Sequence, residues 1–304
     1  MNQRLTLPTA LLLTIPPLMW AGNAVVGRLV ADLIPPMTLN FLRWVLAFVF
    51  LLPFTWRVLK PASSIWKNYR RYAVLGLLGV GCYNALMYLA LHTSTPLNVT
   101  LVGASMPMWM LATGALFFRQ RIKRMQVVGS LLSLLGVLVV LSRGQLAWLT
   151  NVKFVPGDFY MVLASMAWAF YSWLLFQPAG TPLKDAPEIR SDWAAFLMAQ
   201  VVFGLGWSGL LVGGEWALTS AHITWGWPLF AALLFVSLGP ALLAYRSWGL
   251  GVQRVGPAIA GFFSNLTPLI AAVLSAAFLG ELPHLYHAGA FVLIAGGIVV
   301  SSRR

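Results

Sequence analysis

Long apolar stretches alternate with short polar connections along the whole chain. A bilayer core of roughly 30 Å needs about 20 apolar residues per helix, because each residue adds about 1.5 Å of rise. We therefore predict an all-α integral membrane fold with ten transmembrane helices, and little chain is left for loops. The predicted spans cover residues 8–30, 37–57, 71–92, 97–118, 124–142, 157–177, 193–213, 227–248, 256–279 and 284–302.

Composition supports a membrane protein rather than a water-soluble one. Of the 304 residues, 60% are hydrophobic and 9% are charged, whereas soluble domains have about a quarter of their residues charged. The apolar run that follows Arg4 has the outline of a signal peptide, but it continues past Val25, beyond the short core of a cleaved signal. We therefore count this run as the first span.

The positive charges indicate topology rather than nucleic-acid binding. The formal net charge is +13, but the Lys and Arg residues lie in short clusters between apolar runs and not along one polar face. With the N-terminus inside, most of the 20 Lys and Arg residues fall on the cytoplasmic side, as the positive-inside rule requires. We predict a multi-pass protein of the bacterial inner (plasma) membrane with both termini cytoplasmic.

The chain also contains a weak internal repeat. Each half would hold five helices, an odd number, so the second half would enter the membrane from the opposite side. Inverted repeats around a central midplane cavity are common in secondary transporters. We predict one membrane domain, 1–304, with repeats at 1–145 and 155–304. Shifts of 161 or 148 residues superimpose the pairs Pro96 and Pro257, Pro107 and Pro268, and Trp20 and Trp168.

Two prolines of this repeat are candidate hinges. Pro107 and Pro268 each lie near the middle of a predicted span. A proline there removes a helix hydrogen bond and leaves the carbonyls of Gly103 and Ser264 without their usual donors. In lipid, such groups need protein or cavity water around them. A tolerated kink in a packed helix and a hinge that lines a cavity both remain open.

Polar and aromatic residues deep in the spans are the candidates for substrate binding. Hydrocarbon makes unpaired polar groups costly, so these side chains face either a cavity or a neighbouring helix. Their amide, hydroxyl and aromatic groups suit an amino acid, whose ammonium an aromatic face can hold by about 0.5–2 kcal/mol. The candidates are Trp20, Asn23, Tyr83, Asn84, Met87, Tyr88, His92, Trp109, Trp168, Tyr171, Ser172, Tyr245, Ser264 and Asn265.

Acidic residues bear on the energy coupling. All seven Asp and Glu residues lie at span ends or in loops, whereas proton-coupled carriers commonly keep an Asp, Glu or His relay inside the membrane. Facilitated diffusion is therefore the simpler mechanism. Titration of His92, or of Asp158 at the start of the sixth span, is the alternative.

Motifs for catalysis or for an ion filter do not occur in the sequence. There is no HExxH helix, no Walker-type loop and no Gly-x-Ser-x-Gly elbow, and neither a TVGYG-like filter nor a ring of charges. Cys82 is the single cysteine, which excludes an intrachain disulfide and a cysteine metal site. We expect no enzyme activity, cofactor or metal, and a channel ranks below a transporter.

Several short motifs together carry a family resemblance. They are Trp20-Ala21-Gly22-Asn23, Tyr88 to Leu91 followed by Pro96, Pro107, Gly157-Asp158, Pro257, Pro268 and Leu279-Gly280-Glu281. With them the chain resembles the EamA-type exporters of the drug/metabolite transporter superfamily. It departs from that pattern at Phe118, Arg119 and Gln120, where the family usually has a Gly-Glu pair.

The aromatic interior is most similar to YddG-type exporters of aromatic and neutral amino acids. The resemblance implies ten helices, a central cavity and outward export. A phosphate substrate would require cavity-facing Arg or Lys, and only Arg43 and Arg246 approach that position, although both could snorkel to an interface. A lipophilic cation would require an embedded carboxylate.

We therefore predict an exporter of neutral and aromatic amino acids and related small metabolites that works by alternating access as a uniporter. A proton-coupled drug or metabolite exporter is the alternative. The expected partners are the small-molecule substrate and the lipid bilayer, without nucleic acid, and we expect a monomer.

Overall fold

The computed structural model describes residues 5–94, 96–145, 155–177, 185–279 and 284–303. Arg4, Gly280 and Glu281, on which sequence predictions rest, lie outside these residues. The described chain is helical. Its helices are α1 (Leu7–Leu29), α2 (Pro36–Thr55), α3 (Ser64–Lys67), α4 (Tyr69–Leu75), α5 (Tyr83–Thr93), α6 (Pro96–Gly103), α7 (Met106–Phe118), α8 (Arg124–Leu141), α9 (Pro156–Leu175), α10 (Pro187–Arg190), α11 (Trp193–Leu218), α12 (Trp227–Val236), α13 (Ala244–Val255), α14 (Pro257–Phe263), α15 (Leu266–Leu279) and α16 (Leu285–Ser302).

Eight helical stretches in the described part of the chain are long and apolar enough to cross a membrane. They are Leu7–Gly27, Pro36–Leu59, Tyr69–Ala90, Val99–Phe118, Arg124–Leu141, Trp193–Leu218, Trp227–Val255 and Leu285–Ser302. The other two predicted spans correspond to α9, which carries Asp158 in its first turn, and to the shorter apolar stretch Pro257–Ala271. The prediction of an all-helical membrane fold is therefore confirmed, with eight spans supported by length and composition.

Two of the spans contain π-helical segments. Gly76–Cys82 joins α4 to α5, and Ser237–Leu243 joins α12 to α13. The two segments have the same length and begin 161 residues apart in the sequence. An extra residue in a π turn rotates the side chains that follow it, and such turns are frequent at functional sites.

Two other helical stretches are broken into separate helices ahead of the predicted hinge prolines. α6 ends and α7 begins on either side of Ala104 and Ser105, and α14 and α15 are separated in the same way by Ser264 and Asn265. Pro107 and Pro268 thereby lie in first turns, where a missing N–H needs no acceptor. The Ser264 carbonyl, whose usual donor at position 268 is missing, accepts instead from the Thr267 N–H at 3.0 Å in the turn.

Acidic side chains fix the starts of two helices. The Glu215 carboxylate of α11 accepts hydrogen bonds from the backbone N–H groups of Met37 and Thr38, each at 2.9 Å, and from the Thr38 hydroxyl at 2.7 Å. An anion at a helix N-terminus is favourable because of the helix dipole. Asp158 does the same for α9, where it accepts from the Val155 N–H at 3.0 Å and from the Ser94 hydroxyl. These bonds link α2 to α11 and α9 to the end of α5.

Helix α9 packs among α5, α6, α7, α13 and α14, while α1 packs against α13 and α15. Helices α2 and α11 form another pair, and α8 lies along α16. The last pair approaches so closely that a Cβ on Gly129 would lie 2.6 Å from the Gly297 carbonyl oxygen. Small residues thus permit backbone contact between helices, as in other membrane bundles. The arrangement leaves the aromatic face of α9 directed toward α1, α5 and α13.

Candidate functional site

Trp168 of α9 lies at the centre of a group of aromatic rings. Its side chain is 2% exposed, and five other rings have their centroids between 5.0 and 5.6 Å from its own. Such pairs contribute about 0.5–1.5 kcal/mol each beyond the area they bury. Four helices, α1, α5, α9 and α13, meet here. The aromatic cluster consists of Trp20, Tyr83, Trp168, Tyr171, Tyr245 and Trp248.

Ser172 positions two members of the cluster. Its hydroxyl donates to the Trp168 carbonyl at 2.8 Å and accepts from the Trp248 indole N–H at 3.0 Å. The spacing from 168 to 172 is one helical turn, so both residues share a face of α9. The Trp168 indole N–H is buried without a hydrogen-bond partner among the described residues. That donor is therefore available to a ligand that reaches the cluster.

The first π-helical segment holds two tyrosines of the cluster. A Cβ on Gly79 would lie 2.6 Å from the Tyr171 ring, so only glycine lets the ring pack there. The Tyr245 hydroxyl donates to the Gly79 carbonyl. The backbone of this segment thus fixes one side chain from α9 and one from α13.

Four further predicted residues lie near the breaks or in buried polar positions. Asn265 donates to the Ser133 hydroxyl at 2.9 Å, and its side-chain carbonyl oxygen has no partner among the described residues. Asn23 has a buried carbonyl oxygen in the same condition. Trp109 donates to the Ser105 hydroxyl at 3.0 Å, and the Ser264 hydroxyl donates to the Gly261 carbonyl at 2.5 Å. The last two bonds are local to the breaks.

The predicted site residues of α5 do not share one environment. Asn84 and Tyr88 are buried, and Tyr88 belongs to an apolar group with Leu39 and Leu233, against which Met87 also packs. Only Tyr83 of this helix joins the aromatic cluster. The side chain of His92 lies outside what the structure describes.

A cavity of about 240 Å³ adjoins the aromatic cluster at Tyr171 and Tyr245. Gln200, which is 1% exposed, donates from its amide to the Phe196 carbonyl at 3.0 Å, and its Oε1 has no partner among the described residues. No three His, Cys, Asp or Glu side chains of the described chain come together as a metal site requires. The cavity lining is Tyr171, Leu175, Gln177, Asp185, Arg190, Trp193, Phe196, Leu197, Gln200, Tyr245, Arg246, Gly249, Leu250 and Gln253.

An ion pair and an amide lie at the end of this cavity that Asp185 and Arg190 line. Arg71 binds Asp185 with two parallel hydrogen bonds, Nε to Oδ1 at 2.7 Å and Nη2 to Oδ2 at 2.9 Å, and the Tyr72 hydroxyl donates to the same carboxylate at 2.9 Å. The Arg190 guanidinium donates to Gln177 at 2.7 Å. This network ties the start of α4 to the connection between α9 and α11.

The two arginines that approach the interior differ in position. Arg246 is exposed and lies over the Trp193 ring at 5.2 Å, so it does reach the surface. Arg43 does not snorkel, because its side chain is 1% exposed and lies 5.3 Å from the Trp44 ring. The sequence left its direction open.

Several residues of the cavity were missed in the sequence. Gln200 is a polar residue inside a predicted span, so the rule that selected the other candidates would also have found it. Gln177, Arg190 and Trp193 lie at or beyond span ends, where hydropathy gives no signal. Their place in the cavity depends on tertiary packing, such as the contact of α10 with α11.

Comparison with known proteins identifies the family. The model of the EamA-like transporter family matches residues 7–142 and again 155–303. A probable amino-acid metabolite efflux pump of Salmonella typhimurium is 27% identical over 91% of this chain and 89% of its own. The aromatic amino acid exporter YddG of Ancylobacter novellus is 23% identical over 81% of this chain and 78% of its own.

A solved structure supports the same fold. One crystal structure of a protein covers 96% of this chain and 96% of its own, with a TM-score of 0.72 and 20% identity. At that identity the likeness concerns the fold alone. The two family matches together span most of the sequence, and the helices they cover build a membrane bundle. The chain therefore belongs to the EamA-like transporter family.

Proposed function

We propose that this membrane transporter exports neutral and aromatic amino acids, and related small metabolites, across the bacterial inner membrane by alternating access. The observation that carries the proposal is the cavity of about 240 Å³ that borders the aromatic cluster at Tyr171 and Tyr245. Apolar side chains, aromatic faces and amides meet in this one place. An amino acid with an apolar side chain requires that combination.

Each part of such a substrate has a matching surface. The side chain would pack against Leu175, Phe196 and Leu197. The ammonium would lie against an aromatic face, which attracts cations, or would donate to the unpartnered Oε1 of Gln200. The buried tryptophan N–H of Trp168 offers a further donor for an anionic or carbonyl oxygen.

The architecture that we propose has ten spans in two inverted repeats, 1–145 and 155–304. Its support is the packing of the spans. Each span of one half corresponds to the span five positions later in the other half, with span six corresponding to span one, and corresponding pairs of spans make the same contacts. Spans two and five pack with spans seven and ten, the pairs three–six and four–six correspond to eight–one and nine–one, and all of these contacts occur. The spans one to ten are α1, α2, α4 with α5, α6 with α7, α8, α9, α11, α12 with α13, α14 with α15, and α16.

Two pairs of structural features are separated by the same number of residues, as this repeat requires. The π-helical segments begin at Gly76 and Ser237, which are 161 residues apart, and the same offset separates the starts of α6 and α14. Both repeats would thus have a π turn in the third helix and a break in the fourth. Breaks of this kind at the midplane are the usual place of substrate sites and moving segments in such carriers.

Uniport is the mechanism that we propose. Three acidic side chains at span ends or in connections, Asp158, Asp185 and Glu215, are bonded to helix starts or to Arg71. Their roles are structural, and transport down the substrate gradient needs no further group. With both termini cytoplasmic, Asp185 and Arg190 lie on the inner side, so the cavity would receive substrate from the cytoplasm.

The test is efflux from liposomes that contain the pure protein. Labelled phenylalanine, tryptophan and leucine would be followed with and without an imposed proton gradient, beside a sugar phosphate and a lipophilic cation. Saturable amino-acid efflux without the gradient is the expected result. Efflux only with the gradient would replace uniport by proton coupling, and movement of another solute alone would overturn the substrate class.

A further inference from the structure

Arg43 is a buried positive charge in the interior of the bundle. It is the eighth residue of α2, so its Cα lies about 10 Å along the helix from the first residue. The side chain is 1% exposed. A guanidinium at this depth loses its hydration, and a buried charge without a counter-charge is costly.

No carboxylate of the described residues forms an ion pair with Arg43. Among the described residues, the ion pair that forms is Arg71 with Asp185, and Glu215 is bound to the start of α2. The Nε and Nη1 atoms of Arg43 have no hydrogen-bond partner in the described part of the chain. The Trp44 face, 5.3 Å away, attracts the charge but leaves these donors unused.

Asn40 lies about one turn before Arg43 and needs a hydrogen-bond donor, whereas Arg43 needs an acceptor. Its amide donates to the Val80 carbonyl at 3.2 Å, which fixes the orientation of the side chain, and its Oδ1 has no partner among the described residues. Asn40 is also 1% exposed. The spacing of three places both residues on one face of α2.

Arg43 and Asn40 are linked to the aromatic cluster through other residues, Arg43 through the Trp44 ring and Asn40 through Val80, the neighbour of Gly79, whose carbonyl accepts from Tyr245. The Trp44 ring meets the Tyr245 ring edge to face with centroids 4.9 Å apart. Unused donors and an unused acceptor thus lie at the edge of the proposed site.

We propose that Arg43 binds the α-carboxylate and Asn40 one N–H of the α-ammonium of the transported amino acid, which leaves the other ammonium N–H groups for Gln200 or an aromatic face, while the aromatic cluster and the adjoining cavity hold the side chain. The inference rests on the proposed function and specifies how the substrate is recognised. An unpartnered guanidinium N–H donates a charge-assisted hydrogen bond to a carboxylate, and the Asn40 oxygen accepts from the ammonium. A solute without the carboxylate would leave Arg43 unpaired, and a solute without the ammonium would leave the Asn40 oxygen unpaired.

The experiment compares phenylalanine with analogues that lack one group. Efflux of phenylalanine, phenylalaninamide and 3-phenylpropionate is followed in liposomes with wild-type protein, Arg43→Gln, Arg43→Lys and Asn40→Leu. In wild type, phenylalanine should exceed each analogue by about tenfold or more, as the loss of a charge-assisted hydrogen bond implies. Arg43→Gln should remove the preference over the amide, and Asn40→Leu the preference over the propionate.

Two variants separate recognition from folding. Arg43→Lys keeps the charge but not the guanidinium N–H geometry, so a reduced acid preference should remain even if Arg43→Gln does not fold. Arg121→Gln removes a charge from an exposed position, and should leave both preferences unchanged.

Three results would overturn the proposal. Equal loss of acid and amide efflux in Arg43→Gln, with monodisperse protein, would make Arg43 a structural residue. Equal efflux of acid and amide in wild type would remove the carboxylate site while the proposed function stands. No efflux of any amino acid by the wild-type protein would overturn the proposed function itself.

Discussion

The indole rings of Trp20 and Trp168 meet edge to face, with centroids 5.3 Å apart and an interplanar angle of 87°. One comes from the first helix of the chain and the other from α9, which opens the second family match. Both rings also contact Trp248 of α13. If the two halves move against each other during transport, this contact lies between the parts that move.

Trp20→Ala should therefore lower transport more than it lowers stability. Trp20 is only partly buried and contacts two rings of the cluster, each contact being worth about 0.5–1.5 kcal/mol. We expect efflux of aromatic amino acids to fall roughly tenfold, which corresponds to about 1.4 kcal/mol. Liposome efflux and size-exclusion chromatography measure the two effects.

Trp227→Ala is the matched control, because that side chain is 74% exposed. It should retain wild-type efflux. If Trp20→Ala transports normally, Trp20 has no part in the site. Trp168 is less suitable for this test, because emptying so buried a position would destabilise the fold by about 3–5 kcal/mol.

Gly79→Ala should destabilise the protein and lower transport together. The new methyl group would lie 2.6 Å from the Tyr171 ring, which is 2% exposed and packs against the Trp168 and Tyr245 rings. Overpacking of this kind typically costs about 1–3 kcal/mol, and the π-helical segment would lose its contact with α9. Thermal unfolding in detergent and efflux in liposomes would both report the change.

Gly206→Ala provides the comparison for this substitution. Gly206 lies in α11, and nothing within 4 Å would meet its Cβ. Alanine should stabilise that helix slightly, by up to about 1 kcal/mol. A Gly79→Ala protein as stable and active as wild type would show that Tyr171 does not need its position on the π-helical segment.

Hydropathy predicted the membrane bundle because the helix period and the bilayer thickness act on every residue of a span. It also selected Trp168 and Tyr171, since aromatic and polar groups deep in a span need a partner. It could not separate Tyr171, which lines the cavity, from Trp173, whose indole donates to the Met110 carbonyl at 2.8 Å. Both are aromatic residues on α9, and only the neighbouring helices distinguish them.

Three other features depend on tertiary structure. The π turns at Gly76 and Ser237 shift the register by one residue, which a hydrophobic run does not record. The direction of the Arg43 side chain depends on how α2 packs against its neighbours, because a long side chain at that depth can point to the membrane interface or into the bundle. Arg190 lies outside every predicted span, and the packing of α10 on α11 places it at the cavity.

Asp185→Asn should loosen the end of the cavity that Asp185 lines. The Arg71 guanidinium binds both carboxylate oxygens of Asp185, at 2.7 and 2.9 Å, and this pair joins α4 to the connection after α9. The asparagine amide has one oxygen and one NH₂ group, so the guanidinium of Arg71 would keep one of its two hydrogen bonds and lose the other. We expect a lower thermal stability and an altered efflux rate.

The double variant Arg71→Gln with Asp185→Asn isolates the pair. Its loss of stability should be smaller than the sum of the single losses, with a coupling of about 0.5–3 kcal/mol. Arg70→Gln is the control, because Arg70 is exposed and contacts only Tyr69 in the structure described. Additive single losses would mean that the ion pair contributes nothing specific at this place.

Gln200→Leu should weaken substrate binding without weakening the fold. Gln200 lines the cavity, and its buried Oε1 has no partner among the described residues. An unpaired buried acceptor costs about 1–3 kcal/mol, so an apolar side chain of similar size should leave stability unchanged or raise it. The substrate would meanwhile lose an acceptor for its ammonium. We expect the apparent KM for phenylalanine efflux to rise severalfold while thermal stability stays at or above the wild-type value. A fall in stability with an unchanged KM would assign Gln200 to the packing of α11 and not to the substrate.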